Sequence, residues 1–295
     1  MVKLSKENPI HFPALALGCM SLPESHGEAE KIIHMALDLG IIFFDTADMY
    51  QKGKNESNIG KALQGKRDQV ILASKVGNQW NPDGISWAWN PKKEYILQEV
   101  EESLRRLRTD YLDLYQLHGG TINDPWEETL EAFELLKSQG KIRAFGISSI
   151  RPNVIRKVMQ LYPPATVMMQ YSPLDRRPEE EVFPMLEKTT SRVLVRGAFA
   201  KGILIDKPIS GFLDFSKEKV AEIKSEILSL GYSPEAVLIR FGLIEKAVSS
   251  LVIGASTVDQ VVNLWKGFEE SLDIPDELIR QLKQKLPANQ YQEHR

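Results

Sequence analysis

The stretch Ile41-Ile42-Phe43-Phe44-Asp45-Thr46-Ala47-Asp48-Met49-Tyr50 decides how this chain is read. Four apolar residues stand on consecutive positions, and the chain then turns abruptly polar at Asp45. A strand solvated on one face alternates apolar with polar, whereas an unbroken apolar run marks a strand buried on both faces, as in a parallel sheet. Outward from this stretch one unit recurs: a short apolar run, a polar loop, then an amphipathic segment of helical length. The runs are residues 14–20, 41–45, 70–76, 112–118, 142–148, 166–172, 192–199 and 251–255. Helical patterns include residues 27–39, 91–106, 125–138, 152–161 and 258–268, several with Pro in the first turn. Gly40 and Gly140 stand where two of these helices should end. Strands alternating with helices imply a parallel sheet, and eight repeats favour a closed barrel over an open doubly wound sheet. The expectation is an α/β chain folded as a single (β/α)8 TIM barrel with eight parallel strands, residues 1–295 forming one domain. No G-x-G-x-x-G follows the first strand, where Leu17-Gly18-Cys19-Met20 stands instead, so a Rossmann domain is disfavoured.

Two places interrupt the repeat. Residues 77–90 read as an unusually long loop after the third strand, carrying Trp80, Trp87 and Trp89. Between the seventh and eighth strands lie two helical patterns, residues 216–230 and 233–246, the second with Ser233 as cap and Pro234 in its first turn. Residues 275–286 read as one more amphipathic helix.

Composition excludes several classes of function. A chain of 295 residues, 42% of them hydrophobic, suffices for a large core. A net charge of −3 leaves no basic footprint for nucleic acid. No run of about 18 apolar residues is present to span a membrane. Residues 1–13 mix Lys, Glu and Asn and lack the apolar stretch of a signal peptide. Cys19 is the sole cysteine, which precludes an internal disulfide and a cysteine-based metal cluster and fits a reducing cytoplasm. His11, His26, His34 and His294 show no ligand spacing, so no metal is expected.

In such barrels the active site lies at the C-terminal ends of the strands. There the second run delivers Asp45 and, beyond it, Tyr50; the third ends in Ser74-Lys75 and the fourth in Gln116-Leu117-His118. Taken singly, each has a structural alternative: a strand-end Asp caps helices, and a Lys or His at a barrel rim is often only packed there. Together they suggest proton donation coupled to hydride transfer. A free tyrosine has a pKa of about 10, too high for an efficient acid near neutrality. A nearby ammonium stabilises phenolate and should lower it. Asp45 would pair with Lys75 to keep it charged and aimed, while His118 would orient a carbonyl or share the proton.

DTADMYQKGKNESNIGKAL from Asp45 onward, Ser74-Lys75, LYQLH ending at His118, GKIRAFGIS ending at Ser148 and VIGAS ending at Ser256 strongly resemble the aldo-keto reductases. The match runs in the family's order from about Ala14 to Phe268, and is nearest the bacterial oxidoreductase branch. The resemblance implies a barrel that binds NADP(H) extended across the strand ends and reduces aldehyde or ketone carbonyls, a small-molecule substrate. It implies Tyr50 as the acid, with Asp45, Lys75 and His118 completing a tetrad. It places cofactor contacts at Gly18, Met20, Asp45, Ser148, Gln170, Arg196, Gly197, Gly202, Gly254, Ser256 and Gln260. The chain also departs from the family's pattern. Ser149 replaces the usual Asn after the fifth strand, and Met168 stands where a Gln is usual. Gln170 therefore faces either the cofactor or the opposite side. Arg196 replaces a ring-stacking tyrosine and either stacks through its guanidinium, binds phosphate, or pairs with a neighbouring carboxylate. Gln260 and Leu264 stand where Arg and Asn are common, yet NADPH is expected over NADH. The tryptophans of residues 77–90 either wall a substrate pocket or pack outside it, and residues 201–216 should share in setting specificity. Two further functions remain in view: a non-enzymatic nicotinamide sensor or partner subunit on the same barrel, and a Schiff-base enzyme using Lys75. Oligomeric state is not readable.

Overall fold

The computed structural model describes residues 10–295; residues 1–9 of the stretch that lacks signal-peptide character lie outside it. Its strands, in chain order, are β1 (Leu15–Gly18), β2 (Phe43–Asp45), β3 (Ile71–Val76), β4 (Asn78–Trp80), β5 (Trp87–Trp89), β6 (Leu112–Leu117), β7 (Ile142–Ser148), β8 (Thr166–Gln170), β9 (Arg192–Arg196) and β10 (Val248–Gly254). Eight of them close a barrel in the order β1-β10-β9-β8-β7-β6-β3-β2, every pair parallel. All eight expected apolar runs are its staves. The helices are α1 (His26–Asp38), α2 (Lys54–Ala62), α3 (Lys93–Leu107), α4 (Trp126–Ser138), α5 (Pro152–Leu161), α6 (Val182–Leu186), α7 (Lys217–Leu228), α8 (Pro234–Leu243), α9 (Val258–Ser271) and α10 (Asp276–Lys285). Gly40 and Gly140 carry the positive φ (88° and 74°) that ends α1 and α4, and Ser233 caps α8 by accepting from the Ala236 N–H.

Two apolar layers explain why the staves are apolar on successive positions. One face of the sheet packs under the helices. The other fills the lumen with Ala16, Phe43, Ala73, Leu114, Ala144, Met168, Leu194 and Val252, one residue from each strand, all buried. Small and large side chains share this plug, as barrel interiors require. Below it, Ile10 and Phe12 close the N-terminal end, Phe12 lying 5.4 Å from Phe43 between ring centres.

Residues 77–90 are not an irregular loop. β4 and β5 form an antiparallel hairpin with Asn78 opposite Trp89 and Trp80 opposite Trp87. Asn81-Pro82-Asp83-Gly84 makes the turn: Asp83 Oδ1 accepts from the Ile85 and Ser86 N–H groups, and Gly84 takes φ +64°. That turn composition is the signal for a hairpin, and the strands are too short to announce themselves.

Candidate active site

Inward-facing positions on a strand recur every two residues. Two residues beyond each member of the lumen plug stand Gly18, Asp45, Lys75, Gln116, Gly146, Gln170, Arg196 and Gly254. This second layer is polar or bare, and it forms the floor of the barrel mouth. Gln170 therefore shares the inward parity of Met168, and the opposite-side reading is excluded.

Within this layer two charges are removed from water. The Lys75 side chain is 1% exposed and that of Asp45 is 5% exposed, and Lys75 Nζ donates to Asp45 Oδ2 at 2.6 Å. A second bond from Nζ reaches the Thr46 carbonyl at 2.7 Å, and Gln116 Nε2 donates to Asp45 Oδ1 at 3.1 Å. Buried charges persist only when paired and hydrogen-bonded in this way. Burial works to lower the Lys75 pKa, yet the Asp45 carboxylate, helped by Tyr50, outweighs it and holds it above the ordinary lysine value. For Asp45, burial raises the pKa while Lys75 and Gln116 pull it back. Sequence reasoning gave Gln116 no role; its inward parity with Leu114 emerges only in the closed barrel.

Tyr50 stands over this pair. Lys75 Nζ lies 5.2 Å from the centre of its ring, and the His118 ring meets it edge-on at 5.8 Å and 80°. Lys75 does lower the Tyr50 pKa as expected, but the net shift is upward. Burial is the larger effect and raises the phenol above its usual value, with Lys75 only partly opposing it. His118 is neutral: burial, then the positive charges of Lys75 and Arg196, push its pKa down to about 3. Its Nδ1 is buried without a hydrogen-bond partner.

Arg196 closes the far side of the group. Its charge is felt by Asp45, Tyr50 and His118, which places it at the same mouth. Among the described residues no carboxylate lies within ion-pair distance of it, although the charges of Asp175 and Asp45 act on it. Ser148 ends β7 on the inward parity and is buried. Gly197, beyond Arg196, takes φ +70° and lies against Gln170, whose Cγ would be 3.5 Å from a Cβ there.

Across the mouth the character changes. Gly18 and Gly254 face each other in register on β1 and β10, so bare backbone lines this side, beside the exposed Met20. A Cβ on Gly254 would come within 2.9 Å of Ser21 Oγ. Past Gly254, the Ser256 N–H and Oγ–H both donate to Gln260 Oε1, at 2.7 and 3.0 Å, and both residues are exposed. Thr257 caps α9 here by accepting from the Gln260 N–H. Gly202 sits apart in the turn after β9, at φ +89° and packed against Lys207. Among the described residues, no group of His, Cys, Asp or Glu could hold a metal, and no helix is long and apolar enough to cross a membrane.

A model of the aldo/keto reductase family matches residues 14–286. The chain is 44% identical over 258 residues to the uncharacterized oxidoreductase YqkF of Bacillus subtilis, covering 84% of each. It superposes on the holo form of aldo-keto reductase AKR11C1 from Bacillus halodurans with a TM-score of 0.91, at 42% identity over 95% of this chain and 94% of that one. The apo form of the same protein fits less closely, at 0.82 and 40% identity over the same shares. An aldo/keto reductase from Klebsiella pneumoniae, solved with NADP and acetate, gives 0.76 at 26% identity, over 96% of this chain and 94% of that one.

Proposed function

This chain belongs to the aldo/keto reductase family, and from that premise we propose that it reduces aldehyde or ketone carbonyls to alcohols with NADP(H). The whole chain acts as one barrel unit in this reading. The observation that carries it is the buried Asp45–Lys75 pair under the ring of Tyr50, with neutral His118 edge-on beside it. A pure sensor has no need of such a proton donor.

Several features suit the dinucleotide. At Gly18 and Gly254 this edge of the mouth is backbone without side chains, and a Cβ there would meet Val252 and Ser21. Arg196 offers a guanidinium without an ion-pair partner among the described residues, and Ser256 presents donors satisfied by an exposed side-chain amide. Ser148, Gln170, Gly197 and Gln260 would hold the same ligand with Met20 at its edge. NADP is the form bound in the Klebsiella relative, and AKR11C1 fits more closely in its holo than in its apo form.

When bound, the reduced nicotinamide supplies hydride to the carbonyl carbon. Tyr50 places its phenolic proton on the carbonyl oxygen. Because burial keeps the phenol protonated, the donor form is present throughout the neutral range. Lys75 stabilises the phenolate that remains, and Asp45 with the Thr46 carbonyl keeps the ammonium in place. His118, uncharged, contributes a hydrogen bond to the carbonyl rather than a charged acid. Lys75 is unsuited to Schiff-base chemistry, since a paired ammonium is not a nucleophile.

The test is titration with NADPH and with NADH, followed by tryptophan fluorescence, and then a carbonyl panel watched through loss of cofactor absorbance. Tight NADPH binding with consumption is expected. Binding without consumption would return the sensor reading, and no binding of either cofactor would sink both.

A further inference from the structure

Three consecutive residues directly after Tyr50 adopt the left-handed conformation: Gln51 at φ 51°, Lys52 at φ 55° and Gly53 at φ 81°. Only the third is a glycine. Left-handed backbone at two side-chain-bearing residues is unfavourable and persists only where surrounding contacts over-determine it. Two such contacts come from neighbouring elements. Gln51 Nε2 donates to the Leu22 carbonyl at 2.7 Å, and the Arg106 side chain packs so closely on Gly53 that a Cβ there would lie 2.7 Å from its Cδ.

The remaining contact comes from the hairpin. Trp80 Nε1 donates to the Met49 carbonyl at 3.3 Å, and Lys52 Nζ lies 5.4 Å from the centre of the Trp80 ring. The Met49 carbonyl and the Tyr50 N–H belong to one peptide plane. Its N–H is tied to the Ala47 carbonyl at 3.1 Å, while its carbonyl accepts from Trp80 and from the Lys52 N–H at 3.3 Å. Both edges of the plane that aims Tyr50 are therefore held, one of them by a residue far along the chain on the hairpin. The hairpin is itself anchored at its other end, where Asn78 Nδ2 donates to the His118 carbonyl and Trp89 packs on Gly77 and Gly119. Between the turn and the hairpin lies a cavity of about 210 Å³ lined by Asp48, Lys52, Asn78, Trp80, Tyr95 and Arg106. A strained turn beside open space has somewhere to relax once a hold is released.

We propose that Trp80 is a positioning residue for the proton donor: its indole N–H pins the Met49–Tyr50 peptide plane and keeps the strained turn from relaxing into the cavity between it and the hairpin. The proposal rests on Tyr50 being the acid, and it assigns the β4–β5 hairpin a part in aiming that acid. Small displacements of a catalytic group cost rate out of proportion to the single hydrogen bond removed.

The test is Trp80→Phe, which keeps an aromatic ring but removes the donor. The expected result is a fall in kcat of about tenfold or more, with KM for the carbonyl and the NADPH dissociation constant within about twofold of wild type. In parallel, tyrosine labelled with ¹³C at Cζ, assigned through Tyr50→Phe, reports the titration of the phenol without substrate. Freed from its buried position, that phenol should titrate closer to the ordinary tyrosine value of about 10. A purely structural tryptophan would lower Tm while leaving kcat and the Tyr50 titration unchanged, and that result overturns the proposal. Should Trp80→Phe fail to fold, the exposed Lys52→Met decides: about a threefold loss of kcat and a titration moved the same way support it, no change in either overturns it. If the wild type reduces no carbonyl, the reductase reading fails on its own, and the phenol titration still tests the positioning.

Discussion

At the end of the mouth that holds Tyr50, Lys75 is 1% exposed and donates to Asp45 and to the Thr46 carbonyl, atoms fixed on or just after β2. At the opposite end, Ser256 and Gln260 are exposed and satisfy each other through a side-chain amide that can swing away. The difference follows from solvent. A charge withdrawn from water must find its partners within the folded chain, so the Asp45–Lys75 pair is assembled by folding itself. Donors left in water have no such requirement, and at Ser256 they are met by an exposed side-chain amide. In the proposed reading one end is fixed by folding and the other is left open for the cofactor.

The contrast is best attacked where it is strongest. Tyr50→Phe should lower kcat by about 10²–10⁴-fold while leaving NADPH affinity within about threefold, measured by steady-state kinetics and fluorescence titration. A variant with near wild-type turnover would remove Tyr50 from the mechanism. Lys75→Met leaves Asp45 buried without its counter-charge, and urea unfolding should show a loss of about 3–5 kcal/mol. A loss under about 1 kcal/mol would mean that folding does not depend on the pair.

Acid sharpens the same point. His118 has a folded pKa of about 3 against an ordinary histidine value of 6.5. Between those values the unfolded chain binds a proton that the folded chain refuses, so stability falls as pH falls through this window. The loss from this residue should reach about 3 kcal/mol by roughly pH 4, and His118→Gln should flatten the acid limb of the Tm–pH curve. Parallel curves for the two proteins would show that His118 is not held neutral by burial. At the open end effects should be smallest. Gln260→Ala should leave Tm unchanged and weaken NADPH binding by about threefold, the scale of one exposed hydrogen bond. A loss above about tenfold would erase the difference between the two ends.

Much of this was legible beforehand. The eight staves, the ends of α1 and α4, the cap at Ser233 and the meeting of Asp45, Tyr50, Lys75 and His118 were all expected. Gln116 was overlooked because a glutamine inside an apolar run carries no charge to attract notice. The hairpin was overlooked because three-residue strands leave too short an alternation to read, although Asn81-Pro82-Asp83-Gly84 announced a turn.

What the amino-acid order determined alone is the repeat, and with it the barrel and the strand ends at which polar groups gather. Periodicity and helix-stop residues are local, so they can be read without knowing what lies across the fold. Tertiary structure alone decided which way each strand faces. Strands buried on both sides are apolar at odd and even positions alike, so the inward parity of Gln170 and Arg196 had no signature in their neighbours. It also decided the sign at Tyr50. The phenol's pKa is the balance of its burial against an ammonium held on another strand, and that balance exists only once the barrel has closed.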